Sequence, residues 1–128
     1  MKPKPSVVVF VANVERMTRF YRELASMDVI VEEPGYAVLS VDGLELVIHA
    51  LRGEPTPGEG LSAAPPREDT YLKLCLPVAS IAEARATAAE LGGSIKSVEH
   101  EWVGRAFRAC DGADPEGNVI QVREPAAD

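Results

Sequence analysis

A lysine stands in the middle of the alternating run Tyr71-Leu-Lys-Leu-Cys-Leu76. Leu72, Leu74 and Leu76 share one face of the strand this run predicts, so Lys73 lies on the other face with Tyr71 and Cys75. From that face its ammonium must reach water, a carboxylate or a ligand anion. Gln121 is the polar member of Val119-Ile-Gln-Val122, and its amide both donates and accepts, so it can bond a ligand or the neighbours of Lys73. Trp102 is the only tryptophan. It can stack on a planar ligand or cap the core at a turn, and Tyr71 and Phe107 face the same choice between contact and core. Of the two histidines, His49 closes an apolar run, and His100 sits in the polar Glu99-His-Glu101 and is expected in solvent.

The elements that must hold these residues are legible in order. Ser6 to Val11 is β-branched and predicts a strand. Asn13 is a helix N-cap, and Val14, Met17, Phe20, Tyr21 and Leu24 form the apolar stripe of a helix ending near Met27. Val29-Ile-Val31, Tyr36 to Val41 and Leu44 to Ala50 predict three more strands, the last two joined at Asp42-Gly43, a strong two-residue hairpin signal. Residues 52–70 carry Gly and Pro interruptions, a Pro65-Pro66 pair and a charged run, so they read as a linker or mobile loop. The pattern then returns. Tyr71 to Leu76 predicts a strand, and Ser80 with Glu83 a capping box. Ile81, Ala84, Ala88 and Leu91 form a stripe, and Gly92-Gly93 a stop. Strands follow at Ser94 to Val98 and from Trp102 through Arg108. Asp114-Pro-Glu-Gly-Asn118 is a turn, and Val119 to Val122 the last strand.

The chain is therefore an internal duplication, β-α-β-β-β twice, with a period of about 67 residues that grows to 74 at the final turn. The expected class is α+β, a single domain over 1–128 with module one at about 5–51, the linker at about 52–70 and module two at about 71–124. Each module has one helix on one side of a small sheet and leaves the other sheet face bare, so the two should pair.

Composition excludes several functions. A net charge of −7 over 128 residues argues against a nucleic-acid partner, which needs a basic face, and permits a cationic ligand. No apolar run approaches the ~20 residues that span a bilayer, and the N-terminus has no signal-peptide cleavage site. Cys75 and Cys110 form no spacing motif and read as reduced thiols in a cytoplasmic protein.

Asn13-Val-Glu-Arg-Met-Thr-Arg-Phe-Tyr-Arg-Glu-Leu24, Trp102-Val-Gly-Arg-Ala-Phe107 and Asp114-Pro-Glu-Gly-Asn-Val-Ile-Gln121 resemble the vicinal oxygen chelate superfamily, which includes glyoxalase I, bleomycin-resistance proteins, extradiol dioxygenases and fosfomycin-resistance enzymes. The resemblance covers nearly the whole chain. It implies two βαβββ modules whose sheets curl into a cup, helices outside and ligands inside. Ser6, Val8 and Phe10 would then face the cup on the first strand, and Tyr71, Lys73 and Cys75 on the fifth. The ligand-binding residues it implies are Phe10, Val47, Tyr71, Lys73, Trp102, Phe107 and Gln121.

Enzymes of that superfamily hold a divalent metal with His, Glu and similar donors. Their metal-ligand positions fall here on Ser6, Val47, Lys73 and Gln121, none an ordinary ligand. Glu45 and His49, two residues either side of Val47, are the fallback metal candidates, and Glu45 is also a possible partner for Lys73. The expected protein is thus a metal-independent small-molecule binder without cofactor, similar to bleomycin-resistance proteins, which are acidic homodimers that sequester a cationic drug. Two departures separate it from that branch: Val103 lies between Trp102 and Gly104, and Cys110-Asp-Gly lengthens the loop after Phe107. The alternatives are a metal-dependent lyase, isomerase or dioxygenase using Glu45 and His49, and a partner module with a filled cup.

Overall fold

Local capping decides where both helices begin. The Asn13 side chain accepts a hydrogen bond from the Arg16 amide at 3.0 Å, satisfying one of the orphan donors of helix α1, Val14–Ala25. Ser26, at φ 50°, closes it in the left-handed conformation. Ser80 does the same for α2, Ile81–Glu90, its hydroxyl accepting from the Glu83 amide at 3.1 Å. This computed structural model describes residues 2–51 and 65–126. Most of the expected linker, 52–64, lies outside the described residues.

The chain divides into two compact units, Met1–Leu61 and Ser62–Asp128. The first holds β1 (Ser6–Val11), α1, β2 (Asp28–Glu33), β3 (Tyr36–Val41) and β4 (Leu44–Ala50). Its sheet has the order β1-β4-β3-β2, with β1 parallel to β4 and the remaining pairs antiparallel. The β3–β4 connection is the two-residue hairpin its sequence demands: Asp42 at φ 43° and Gly43 at φ 85° give both central residues the positive φ of a type I′ turn. Met17, Phe20, Tyr21 and Leu24 are buried where α1 lies against β3 and β4, each adding about 1.5–3 kcal/mol of burial. The cross-strand pairs Val8–Val47, Val47–Val38, Phe10–His49 and His49–Tyr36 share the sheet face opposite the buried Val11, Leu39, Leu46 and Ile48. Val7, expected on the helix side, is nevertheless 36% exposed, because it lies near the open end of an edge strand.

The second unit holds β5 (Leu74–Pro77), α2, β6 (Ser94–Ile95), a 3-10 turn at Val98–His100, β7 (Trp102–Val103), β8 (Phe107–Ala113) and β9 (Val119–Pro125). Its five-stranded sheet has the order β5-β9-β8-β6, and β7 also pairs with β8. The chain is α+β, built from two βαβββ modules, with β7 an extra short strand in the second.

The strand expected from Trp102 through Arg108 breaks at 104–106 between β7 and β8, and Cys110-Asp-Gly, expected in a loop, lies within β8. Two further strands are shorter than their sequence predicts. β5 starts at Leu74 rather than Tyr71, since it is paired only where β9 runs alongside it, Leu74–Pro77 against Ile120–Arg123. Tyr71 and Leu72 are consequently exposed instead of lying on opposite strand faces. β6 stops at Ile95, and the chain turns into the 3-10 segment where Val98 was expected in a strand. At Ile95 the backbone comes so close to β8 that a Cβ on Gly112 would overlap the Ser94 carbonyl oxygen.

The hydroxyl of Thr18 is buried in α1 with no partner among the described residues. A buried hydroxyl without a partner costs stability that an apolar group of the same shape recovers. Thr18→Val should therefore raise the unfolding free energy by about 1 kcal/mol, read as a higher urea midpoint at unchanged slope. An unchanged or lower midpoint would show that the hydroxyl is satisfied.

Candidate functional site

The turn between β8 and β9 sets the site. Asp114 Oδ1 accepts from the amides of Glu116 and Asn118, both at 2.9 Å, and Asp114 Oδ2 accepts from the Asn118 side chain at 2.9 Å. Gly117 at φ 85° completes the reversal. With that turn fixed, the antiparallel ladder places Asp111 opposite Gln121, and the parallel ladder of β5 places Cys75 on the other side of Gln121. These three share the sheet face opposite the buried Leu76, Cys110, Ile120 and Val122.

On that face the polar side chains form one chain of bonds. Lys73 Nζ donates to Asp111 Oδ2 at 2.9 Å. Gln121 Nε2 donates to Asp111 Oδ1 at 2.9 Å, and Arg123 Nε donates to Gln121 Oε1 at 2.6 Å. Gln121 is 5% exposed, so both ends of its amide are committed inside the protein. The Arg123 guanidinium lies 4.3 Å from the Phe107 ring centroid, with Arg105 at 5.6 Å. Trp102 meets Phe107 edge-on at 5.9 Å. Gly104 makes this possible, since a Cβ there would come within 2.6 Å of Phe107 Cζ and 3.1 Å of Trp102 Cζ3.

A cavity of about 220 Å³ adjoins the charged end of the chain, lined by Glu68, Thr70, Tyr71, Leu72, Lys73, Lys96, Asp111, Gly112 and Val119. Burial pushes the Asp111 carboxyl up. The hydrogen bonds from Gln121 and Lys73, with the charges of Lys73 and Lys96, outweigh it and hold the group below its ordinary 3.8.

Of the residues expected at the site, the second unit links Lys73, Gln121, Phe107 and Trp102 through Asp111 and Arg123, and Tyr71 joins Lys73 at the cavity. Phe10 and Val47 belong to the first unit. Phe10 is 57% exposed, with its ring 5.6 Å from His49 in an edge contact, and Val47 lies half-buried between Val8 and Val38. His49 is exposed, its Nδ1 2.8 Å from the Ala50 carbonyl oxygen, and Glu45 is paired in register with Ser6 and Ser40. Of the partners open to it, Lys73 takes a carboxylate, that of Asp111. Among the described residues no three His, Cys, Asp or Glu side chains gather to hold a metal.

Asp111 and Arg123 escaped the sequence reading although a signal for Asp111 exists. Reflecting Gln121 through the Asp114–Asn118 turn lands on Asp111. Arg123 follows from the same alternation, two residues on from Gln121 along one strand face.

Residues 6–123 match the family model described as a glyoxalase-like domain, and the chain belongs to that family. No curated protein matches it. Solved structures of similar fold include a glyoxalase/bleomycin resistance protein/dioxygenase family enzyme from Burkholderia phytofirmans (14% identical, covering 94% of this chain and 97% of that one, TM-score 0.67). An antibiotic binding protein from a Streptomyces strain is 19% identical, with 98% of each chain covered and a TM-score of 0.60. A variant of the fosfomycin resistance protein of Listeria monocytogenes, complexed with Mn(II) and 1S,2S-dihydroxypropylphosphonic acid, is 14% identical over 98% of this chain and 90% of that one, TM-score 0.65. The fold is that of the vicinal oxygen chelate superfamily.

The depressed Asp111 pKa fixes a pH dependence. A carboxyl with a lowered folded pKa adds stability that is whole above its unfolded value, near 3.8, and is lost as pH falls through the lower folded value. Asp111→Asn should thus be less stable than the native chain at pH 7, and the gap between the two should narrow as pH drops below 3.8. Urea melts of both proteins from pH 7 to pH 2.5 test this, and curves that stay parallel would refute it.

Proposed function

We propose that this chain is a metal-independent small-molecule binding protein, with its ligand site on the open sheet face of the second unit. The observation that carries the reading is Lys73. It stands at a position where the resemblance puts a metal ligand, and its ammonium is tied to Asp111 at 2.9 Å. A protonated lysine has no lone pair to give a cation, and its charge repels one. The Gln121 amide oxygen already accepts from Arg123. In the first unit, the corresponding positions are the hydroxyl of Ser6 and the hydrocarbon of Val47. This donor set does not fit a divalent metal. The exposed Trp102 against the half-buried Phe107, flanked by Arg105 and Arg123, supplies the wall-and-polar-group composition of a small-molecule site.

Antibiotic sequestration is the specific form of this proposal. Its support is the shared fold with the Streptomyces antibiotic binding protein. We also propose that the protein acts in the cytoplasm, where its free thiols Cys75 and Cys110 stay reduced. A homodimer would cover Val7, Val8 and Phe10, exposed on the edge strand β1. Sedimentation should then give twice the 13.7 kDa chain mass.

Elemental analysis of the purified chain should find far less than one equivalent of Zn, Mn, Fe or Ni, and EDTA dialysis should leave ligand binding unchanged. Binding is read by the fluorescence of Trp102 against a panel of antibiotics of differing charge. A stoichiometric metal whose removal abolishes binding would overturn the proposal. Gln121→Glu on its own should not create a metal site, because Lys73, Ser6 and Val47 still offer no complementary donors.

A further inference from the structure

The 220 Å³ cavity of the second unit carries an inference about the ligand itself, one that rests on the binding reading above. Two ammonium groups line it. Lys73 commits one of its three donors to Asp111. The Lys96 side chain has no hydrogen-bond or ion-pair partner among the described residues, its residue being anchored instead through the backbone: the amide to the Asp111 carbonyl at 2.9 Å and the carbonyl oxygen to Arg85 Nε at 2.7 Å. Lys96 is therefore held at its backbone, with its side chain exposed beside the cavity. Of the two acids at the cavity, Asp111 is consumed, one oxygen by Lys73 and the other by Gln121. Glu68 is exposed to solvent, as Lys73 and Lys96 are, and water screens all three charges. Lys96 brings three donors to the cavity and Lys73 two more, which an oxyanion placed between them can accept. Around it stand apolar groups, Tyr71 fully exposed and Leu72 82% exposed.

We propose that this cavity binds a small amphipathic anion, its carboxylate or phosphate held by Lys73 and Lys96 and its apolar body laid on Tyr71 and Leu72. The size limits the occupant. About 220 Å³ is the volume of roughly seven liquid waters and falls short of the ~300 Å³ at which drug-sized pockets begin. It takes a compact aromatic acid, or the acid end of a larger ligand. Nature of charge, rather than shape, sets this preference, since Asp111 remains neutralised whether or not a ligand is present.

Benzoate is the probe, with benzamide as its neutral isostere. Amide chemical-shift titrations of the full chain should show benzoate, and not benzamide, moving the Lys96, Gly112 and Lys73 signals. Lys96→Gln leaves the Lys73–Asp111–Gln121 bonds untouched and should weaken benzoate about 1.5-fold to fivefold, the range of a screened charge pair. Glu68→Gln should strengthen it by a smaller factor, and phenyl phosphate should bind at the same residues. Equal affinity for benzoate and benzamide would overturn the anion preference while leaving a small-molecule site in place. Indifference of benzoate affinity to Lys96→Gln, or no benzoate shifts at 20 mM (on the order of ten times a millimolar Kd), would overturn the assignment of this cavity. A stoichiometric metal would instead overturn the binding reading on which it rests, so the two failures are distinct.

Discussion

The carboxylate of Asp111 is the constraint on which the open face of the second unit depends. Partly removed from water, it needs two good donors to remain ionised, and it has them in Lys73 and Gln121. Everything beyond follows in sequence. Because Asp111 can only accept, the Gln121 amide must present its nitrogen to it. The amide oxygen then faces Arg123, whose guanidinium is drawn to Gln121 and over the Phe107 ring. Phe107 in turn receives the edge of Trp102, at a place kept open by the missing Cβ of Gly104. A single ionised oxygen pair thus fixes the orientation of an amide, a guanidinium and two aromatic rings.

The opposite side of the same unit is closed by a second, independent polar set. Arg85 on α2 bonds Glu101 at 2.7 Å and the Lys96 carbonyl oxygen at 2.7 Å, and approaches the buried Cys110 sulfur at 3.8 Å. The hydrogen bond to Glu101 raises the Arg85 pKa above its ordinary value against the opposing effect of burial. Glu124, at the end of β9, reaches the Ile81 amide at 2.7 Å and so adds a carboxylate to the N-terminus of α2, where the helix dipole favours it. α2 is held to its sheet by these ties as well as by its small buried face of Ile81, Ala84 and Ala88. α1, with Phe20, Tyr21, Met17 and Leu24 buried, relies on apolar area instead.

What was legible in the sequence was what the chain decides locally. Asn13, Ser80 and Asp42-Gly43 act on amides within a few residues of themselves, so their roles hold in any context that lets the element form. The ends of β5 and β6 are decided by their partners. Tyr71 and Leu72 continue the alternation of β5 and still fall outside it, because β9 pairs with it only from Leu74. The Lys73 partner is a tertiary matter of the same kind. The need for a carboxylate can be read from a lysine among leucines, but choosing Asp111 over Glu45 takes the β8–β9 register. That register is itself written in the Asp114–Asn118 turn, which is why Asp111 was within reach of the sequence while the cavity beside it was not.

The duplication sharpens where the chemistry lies. The sequence repeat pairs Ser80 with Asn13 at an offset of 67 and the Glu116-Gly117 turn with Asp42-Gly43 at 74; β1 maps on β5 at 67, β4 on β9 at 74 and β3 on β8 at 73. Val8 beside Val47 in the first sheet corresponds to Cys75 beside Gln121 in the second. On the far side, Val38 opposite Val47 corresponds to Asp111 opposite Gln121. The same row of three strands therefore reads valine, valine, valine in one unit and cysteine, glutamine, aspartate in the other. Identical backbone pairing supports both rows, since neither ladder uses side chains. The fold is indifferent to the choice, and the polar row must be explained by what it does. An apolar row needs no ligand to be satisfied. A row holding an ionised carboxylate keeps Lys73 at one end and leads to Arg123 at the other, and it is to this row that the proposed recognition of a charged molecule is assigned.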